Sequence, residues 1–334
     1  MLQFRTRGYS GYAVKYSPFY DNKLAVATSA NYGLVGNGRL YILSIQPNGE
    51  IVNDISFDTQ DGLFDLSWSE THSNHILTAN GDGSLKLFDI KINQFPIMQW
   101  KEHQRESFST NWNLIDKTTF LSSSWDGTVK LWSSNSSKSI LTLNTFKPGF
   151  KQNCCYQAIF SPHNKDLITS INSNGFISIF DLRQPQPLIS EILAHNGAEI
   201  LTCDWNKYKP TIIATGSVDK SIKIWDLRMV STISDQNSST IPINQLIGHE
   251  FAVKKVIWSP HDGNELMSCS YDMTCRIWQN TVDLNYKRGK IKQKIFNGHK
   301  EFCMGGDYSL WGEPGWCSTT GWDEMVYIFD SKRL

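Results

Sequence analysis

The sequence predicts an all-β fold, a propeller of seven blades, and two observations lead to this prediction. One short pattern recurs along the whole chain of 334 residues, and a second apolar segment precedes each copy. The pattern consists of small polar residues, a tight-turn residue, an alternating apolar stretch and an aromatic residue. Alternation with a period of two is typical of a β-strand with one buried face. A repeating unit of this kind buries its apolar face against its neighbours, so one long chain can form a single ring.

Six clear copies of the pattern and one degenerate copy divide the chain into seven units. Their turn residues lie 44 to 53 residues apart, near the length of a WD repeat, which forms one blade of four strands. Clear copies include SSSWDGTVKLW (122–132) and SCSYDMTCRIW (268–278), whereas GLVGNGRLYILSI (33–45) is degenerate. The sequence therefore predicts one seven-bladed WD-repeat β-propeller over residues 1–334. The turn residues are Asn37, Asp82, Asp126, Asn174, Asp219, Asp272 and Asp323.

The segments outside the repeats have their own expected places. Residues 2–7 precede the first repeat, and we expect them to supply the outer strand of the last blade. That strand would close the ring and remove an open sheet edge. Two longer spacings contain the polar insertions 231–240 and 283–294, which we expect to be loops between blades.

A histidine precedes the inner aromatic residue in four of the seven units, and we expect it to be structural. His, Ser or Thr, Asp and Trp can form one buried hydrogen-bonded chain within a blade, and buried polar groups must be paired. The same set recurs in several units, whereas an active site occurs once, so a Ser-His-Asp triad is not favoured. The complete sets are His103, Asp126 and Trp132; His195, Asp219 and Trp225; and His249, Asp272 and Trp278.

The composition argues against several classes of function. Lys+Arg and Asp+Glu number 32 each, and a nucleic-acid binder usually has a basic excess because phosphate contacts dominate its affinity. Seven cysteines without a CxxC pair favour free thiols in a reducing compartment. There is no secretory signal and no long apolar run. We therefore expect a cytosolic protein without metal, cofactor, nucleic-acid partner or membrane insertion.

Binding is therefore expected on a surface instead of in a catalytic cleft. In a propeller, the residue before each turn and the residues that begin each inner strand reach one face around the channel. In this sequence they predict an aromatic floor with a few carboxylates, which suits a helix with one apolar face and basic residues. The alternative is that several of these rings only pack between blades. The predicted peptide-binding residues are Asp61, Phe64, Glu106, Phe108, Trp125, Tyr156, Glu199, Tyr271, Phe302 and Trp322.

Motifs outside the generic repeat carry a resemblance that extends over all seven units. They include GYSGYAVKYSPFYDNKLAVAT (8–28), TQDGLFDLSWSE (59–70), EHQRESFSTNWN (102–113) and LWGEPGW (310–316). The sequence resembles the peroxisomal import receptors for type-2 targeting signals (the peroxin-7 family), most of all the fungal forms. The resemblance implies a cytosolic receptor that shuttles to the peroxisomal matrix and catalyses no reaction.

The resemblance also implies partners and contacts. The partners are cargo proteins such as thiolase with a helical N-terminal signal R-(L/V/I)-x5-(H/Q)-(L/A), a co-receptor peroxin, and docking peroxins at the peroxisome. Asp61 and Glu106 would contact the arginine of the signal, and Trp125 and Trp322 would supply apolar floor. The sequence leaves open a generic WD-repeat scaffold or adaptor of a ubiquitin-ligase, chromatin or signalling complex, and less readily a propeller enzyme.

Overall fold

The computed structural model describes residues 1–92, 95–145, 153–229, 241–279 and 292–334. These residues form seven four-stranded antiparallel sheets. The N-terminal strand is β1 (Leu2–Arg5). From the channel outward, the first three blades consist of β2 (Ser10–Tyr16), β3 (Lys23–Ser29), β4 (Gly38–Ile45) and β5 (Ile51–Thr59); β6 (Leu63–Trp68), β7 (His75–Asn80), β8 (Ser84–Asp89) and β9 (Met98–Lys101); and β10 (Ser107–Trp112), β11 (Thr119–Ser124), β12 (Thr128–Ser133) and β13 (Leu141–Asn144).

The remaining blades repeat this order. They consist of β14 (Cys155–Phe160), β15 (Leu167–Asn172), β16 (Phe176–Asp181) and β17 (Leu188–Leu193); β18 (Ile200–Trp205), β19 (Ile212–Ser217), β20 (Ile222–Asp226) and β21 (Asn244–Leu246); β22 (Val253–Trp258), β23 (Glu265–Ser270), β24 (Cys275–Gln279) and β25 (Lys292–Phe296); and β26 (Cys303–Tyr308), β27 (Trp316–Gly321) and β28 (Met325–Asp330). Single 3₁₀ turns occur at Ala30–Gly33, His195–Gly197, Leu227–Met229 and Ser331–Arg333.

The sheets close into a ring, and the predicted seven-bladed β-propeller is confirmed. The first strand of each blade contacts the first strand of the next, and β26 contacts β2. β1 lies at the outer edge of the seventh blade in the order β1–β28–β27–β26, with Leu2 opposite Ile328 and Arg5 opposite Met325. Both ends of the chain therefore share one sheet, as predicted, and β28 has no open edge. In the described ranges, no helix is long and apolar enough to span a membrane.

The two polar insertions have different outcomes. Residues 231–240 lie outside the described residues, as do 283–291. The prediction of a loop is wrong for the end of the second insertion, because Lys292–Phe296 is the outer strand of the sixth blade. Lys292 pairs with Gln279 and Lys294 with Ile277. An outermost strand needs no apolar alternation when most of its residues are exposed, and here only Phe296 is buried.

The apolar core fills the spaces between adjacent blades. One cluster joins Leu40 and Phe57 of the first blade to Leu63 and Trp68 of the second, and similar clusters follow around the ring. The alternation seen in the sequence places these side chains inside.

The predicted polar sets are hydrogen-bonded chains within single blades. In the third blade, His103 Nδ1 lies 3.0 Å from Asp126 Oδ2 and Nε2 lies 2.7 Å from Ser122 Oγ. Trp132 Nε1 donates to the same Ser122 hydroxyl at 2.8 Å. Of the two serines that could occupy this place, the structure uses Ser122, not Ser124. The equivalent chains are His195–Asp219 with Thr215 and Trp225, His249–Asp272 with Ser268 and Trp278, and His299–Asp323 with Thr319.

Candidate functional site

One β-bulge near the start of every inner strand shapes the channel mouth. In each blade the register between the first two strands shifts across a single residue, for example between Ser107 and Ser109. A bulge leaves one residue unpaired and redirects its side chain. All seven bulge residues line one small cavity of about 30 Å³, so we call them the channel floor. They are Tyr12, Phe64, Phe108, Tyr156, Leu201, Lys254 and Met304.

A second layer of residues lies at the turns between the second and third strands. The backbone N–H of Trp125 donates to the carbonyl oxygen of Glu106 at 3.0 Å, and that of Trp322 donates to Phe302 at 2.9 Å. Tyr271 makes the equivalent bond to Ala252 at 3.1 Å. These bonds tie each turn to the start of the inner strand in its own blade. The predicted turn and inner-strand residues therefore share one end of the channel.

The rings of these two layers form an unbroken chain of contacts across six blades. Adjacent ring centroids are 4.8 to 6.0 Å apart along this chain, the range of favourable aromatic pairs. Trp125 stacks on Phe108 at 5.1 Å. We call this surface the aromatic face, and all of its rings except the buried Tyr12 are half-buried. In order around the channel the chain is Tyr271, Phe302, Trp322, Tyr12, Phe64, Phe108 and Tyr156.

Three predicted carboxylates border the aromatic face in different local settings. Asp61 Oδ1 accepts a hydrogen bond from the Gly62 N–H at 2.7 Å, and no cation lies within ion-pair distance of it among the described residues. A Cβ atom at Gly81 would lie 2.7 Å from this oxygen, so the missing side chain at that turn makes room for the carboxylate.

The other two acids already have partners. Glu106 Oε2 lies 3.6 Å from Arg105 Nε, and the Arg105 guanidinium also lies 5.7 Å from the Trp125 ring. Glu199 Oε2 accepts a hydrogen bond from the Tyr156 hydroxyl at 2.9 Å. Burial, followed by the charge of Glu199, raises the pKa of Tyr156, so the hydroxyl remains a donor. Asp61 is thus the acid most available to a cationic ligand.

The channel floor contains residues that are not among the predicted peptide-binding residues. The sequence places Tyr12, Leu201, Lys254 and Met304 on this face, because they occupy the same register position as Phe64, four residues before the inner aromatic residue. Tyr32 was not predictable in this way. The first blade has a longer turn, and Tyr32 reaches Trp322 at a centroid distance of 5.3 Å.

The comparisons with known proteins agree on one family. The family model "WD domain, G-beta repeat" matches residues 106–133, 186–226 and 240–279. A Komagataella phaffii protein named peroxisomal targeting signal 2 receptor is 47% identical over 100% of both chains. The Saccharomyces cerevisiae protein of that name is 45% identical over 99% of both. The chain belongs to the family of peroxisomal targeting signal 2 receptors. The human member is 36% identical over 90% of this chain and 86% of its own, and the resemblance stated from the sequence is confirmed.

The opposite end of the channel differs from the aromatic face. It contains a cavity of about 230 Å³ whose walls include two ion pairs, Lys15–Asp307 at 3.0 Å and Lys207–Asp204 at 2.8 Å. Within the described part of the chain, no group of three or more His, Cys, Asp or Glu side chains is placed to hold a metal ion. The aromatic face, with its continuous rings and bordering carboxylates, is the candidate surface for ligand binding.

Proposed function

We propose that this protein is a receptor for cargo proteins with an N-terminal type-2 peroxisomal targeting signal, R-(L/V/I)-x5-(H/Q)-(L/A). In the cytosol it binds the signal as a helix on the aromatic face. With a co-receptor it delivers the cargo to docking proteins of the peroxisome and into the matrix. It acts by binding and not by catalysis. The names of its relatives support this role, since those proteins are called receptors of this signal.

The observation that carries the proposal is the unbroken chain of aromatic contacts with carboxylates on its border. An amphipathic helix binds by laying its apolar face on such a surface. Aromatic side chains at the centre of an interface usually contribute most of the binding energy. The chain runs through six neighbouring blades, from Tyr271 to Tyr156, so it offers one continuous surface instead of separate pockets.

Asp61 and Glu106 are the proposed partners of the signal's arginine. They belong to neighbouring blades, and a guanidinium can donate to carboxylates in a fixed, planar geometry. Among the residues that the structure describes, no cation competes for Asp61, whereas Glu106 has Arg105 nearby. We therefore expect Asp61 to contribute more than Glu106.

The test is a binding measurement with the full chain and a fluorescent helical peptide that carries R-L-x5-H-L, with and without the co-receptor. Asp61→Asn should weaken binding by about 10- to 150-fold, the loss of a charge-assisted hydrogen bond worth about 1.5–3 kcal/mol. Glu106→Gln should weaken it less. Glu250→Gln is the matched control, because it removes an exposed carboxylate in the loop before the sixth inner strand.

Two controls separate this proposal from a generic scaffold. The peptide with Arg→Ala should bind wild-type protein weakly and should be insensitive to Asp61→Asn. In cells that lack the protein, a fluorescent reporter with a thiolase-type signal should remain in the cytosol until the wild-type chain is restored. Equal binding of the two peptides with co-receptor present would contradict the receptor role.

A further inference from the structure

Lys254 is the one charged residue among the seven of the channel floor. It lies at the bulge of β22 in the sixth blade, and its Nζ lies 4.4 Å from the centroid of the Phe108 ring. Phe108 is the bulge residue of the third blade, across the ring from the sixth. The lysine side chain therefore crosses the channel and places its ammonium group among the aromatic rings. Every other residue at this register position is apolar or aromatic.

The ammonium group has an aromatic neighbour but no acceptor. Across the described ranges, Lys254 Nζ forms no hydrogen bond or ion pair with a carboxylate, carbonyl or hydroxyl oxygen, and its cation–π contact is with the Phe108 ring. The carboxylate of Asp65 lines the same cavity and accepts a hydrogen bond from the backbone N–H of Thr110 at 3.0 Å. Its charge favours the ammonium form of Lys254, but it does not reach ion-pair distance. By contrast, Lys15 and Lys207 at the other end of the channel each have an aspartate partner.

An ammonium group in apolar surroundings without an acceptor is unfavourable, because it has lost water and gained little in return. Burial, followed by the charge of Lys255, lowers the pKa of Lys254 to about 7. The cation–π contact with one ring compensates only in part. The channel mouth thus contains a donor that a bound ligand could satisfy, at the centre of the face where the signal is proposed to lie.

We propose that Lys254 is a specificity-determining residue of the signal site, which donates a hydrogen bond to a side-chain oxygen of the bound helix above the channel centre. This inference rests on the proposed function and adds a second point of recognition to it. Basic groups of the ligand belong at the border near Asp61, and an oxygen acceptor belongs at the centre. A basic side chain at the centre would meet the ammonium group and be rejected, which is specificity by repulsion.

The experiment uses the full chain with its co-receptor and a set of fluorescent peptides of the form R-L-x5-H-L. Each of the five x positions is in turn Glu, Gln or Ala, and the other four are Ala. At one position, Glu should bind wild-type protein about tenfold more tightly than Ala, as expected for a charge-assisted hydrogen bond. In Lys254→Met this preference should vanish, while the all-Ala peptide keeps its affinity. Gln at the same position shows whether an amide oxygen suffices or a carboxylate is required.

The controls distinguish the possible failures. Lys300→Met removes an exposed lysine from the loop before the seventh inner strand and should retain the wild-type preference. If Lys254→Met gives the same positional profile as the wild type, or weakens all peptides equally, the inference is overturned. If no peptide binds better than its Arg→Ala counterpart, the proposed function itself fails. Lys254→Met should melt at or above the wild-type temperature, and a fall of several degrees would show that the ammonium has a structural partner instead.

Discussion

Replacement of Asp272 by alanine tests whether the recurring polar chains stabilise the fold. The Asp272 carboxylate accepts hydrogen bonds from His249 Nδ1 at 2.7 Å, from the Glu250 N–H at 3.1 Å and from the Thr274 hydroxyl at 2.6 Å. Its side chain is only 4% exposed. In Asp272→Ala these donors lose their acceptor, and the methyl group cannot accept a hydrogen bond in its place.

The expected loss follows from those contacts. A buried donor without an acceptor costs about 1–3 kcal/mol, and the imidazole and at least one amide are left in that state. We therefore expect the free energy of unfolding to fall by about 3–5 kcal/mol. With an unfolding entropy of about 2.1 cal/mol/K per residue, a loss of 4 kcal/mol lowers the melting temperature of a chain of this length by about 6 °C.

The second blade supplies the matched control. Asp82 occupies the same place in its turn, but among the described residues no histidine bonds to it. There its Oδ1 accepts hydrogen bonds from the N–H and hydroxyl of Ser84, at 3.0 and 2.5 Å, and its side chain is 27% exposed. Asp82→Ala should therefore cost about 1 kcal/mol. Urea unfolding followed by tryptophan fluorescence compares the two variants, and equal losses would refute the argument that the histidine chain adds stability.

Two further predictions concern acid stability and ring closure. Burial alone would raise the pKa of Asp126 and Asp272. The hydrogen bonds from His103 and Thr128 to Asp126, and from His249 and Thr274 to Asp272, together with the charges of the histidines, outweigh burial and hold both pKa values below the ordinary value of 3.8. A carboxylate with a depressed pKa stabilises the fold above its unfolded pKa and loses that contribution as the pH falls. The melting temperature should thus begin to fall near about pH 5 and fall most steeply below about pH 3, and less steeply in Asp272→Ala; equal slopes would contradict this. Deletion of residues 1–5 removes β1 and opens the edge of β28, so stability should fall by about 3 kcal/mol and aggregation should increase; unchanged melting and solubility would show that β1 does not hold the ring closed.

Features that recur in several blades could be predicted from the sequence. The period of the repeat predicted seven sheets, and the unpaired segment before it predicted the closing strand, because an open ring would leave a free edge. The polar chains were predictable since Ser, His, Asp and Trp keep the same spacing wherever all four occur. Where a blade departs from the repeat, these arguments lose their basis. The long turn that brings Tyr32 to Trp322 and the charged outer strand at Lys292–Phe296 are both of this kind.

Features that depend on distance across the channel were not predictable either. Lys254 was visible as the exception at its register position, but its reach to Phe108 depends on the diameter of the ring and on the direction given by the bulge. The period of the repeat specifies where the backbone of a residue lies. The length of its side chain relative to the width of the channel specifies what it contacts.

The orientation of a ligand on this face must be determined by side chains, because the bulge in the inner strand recurs in every blade. Seven equivalent bulges would present a surface without orientation if they carried equivalent residues. The departures from equivalence are few: carboxylates border the second, third and fifth blades at Asp61, Glu106 and Glu199, and a single ammonium crosses from the sixth. A helix with a basic group at one point and an oxygen acceptor at another can satisfy Asp61 and Lys254 together in one orientation only. If the two groups act in this way, the effects of Asp61→Asn and Lys254→Met on a peptide that carries both groups should each exceed their effects on peptides that carry one.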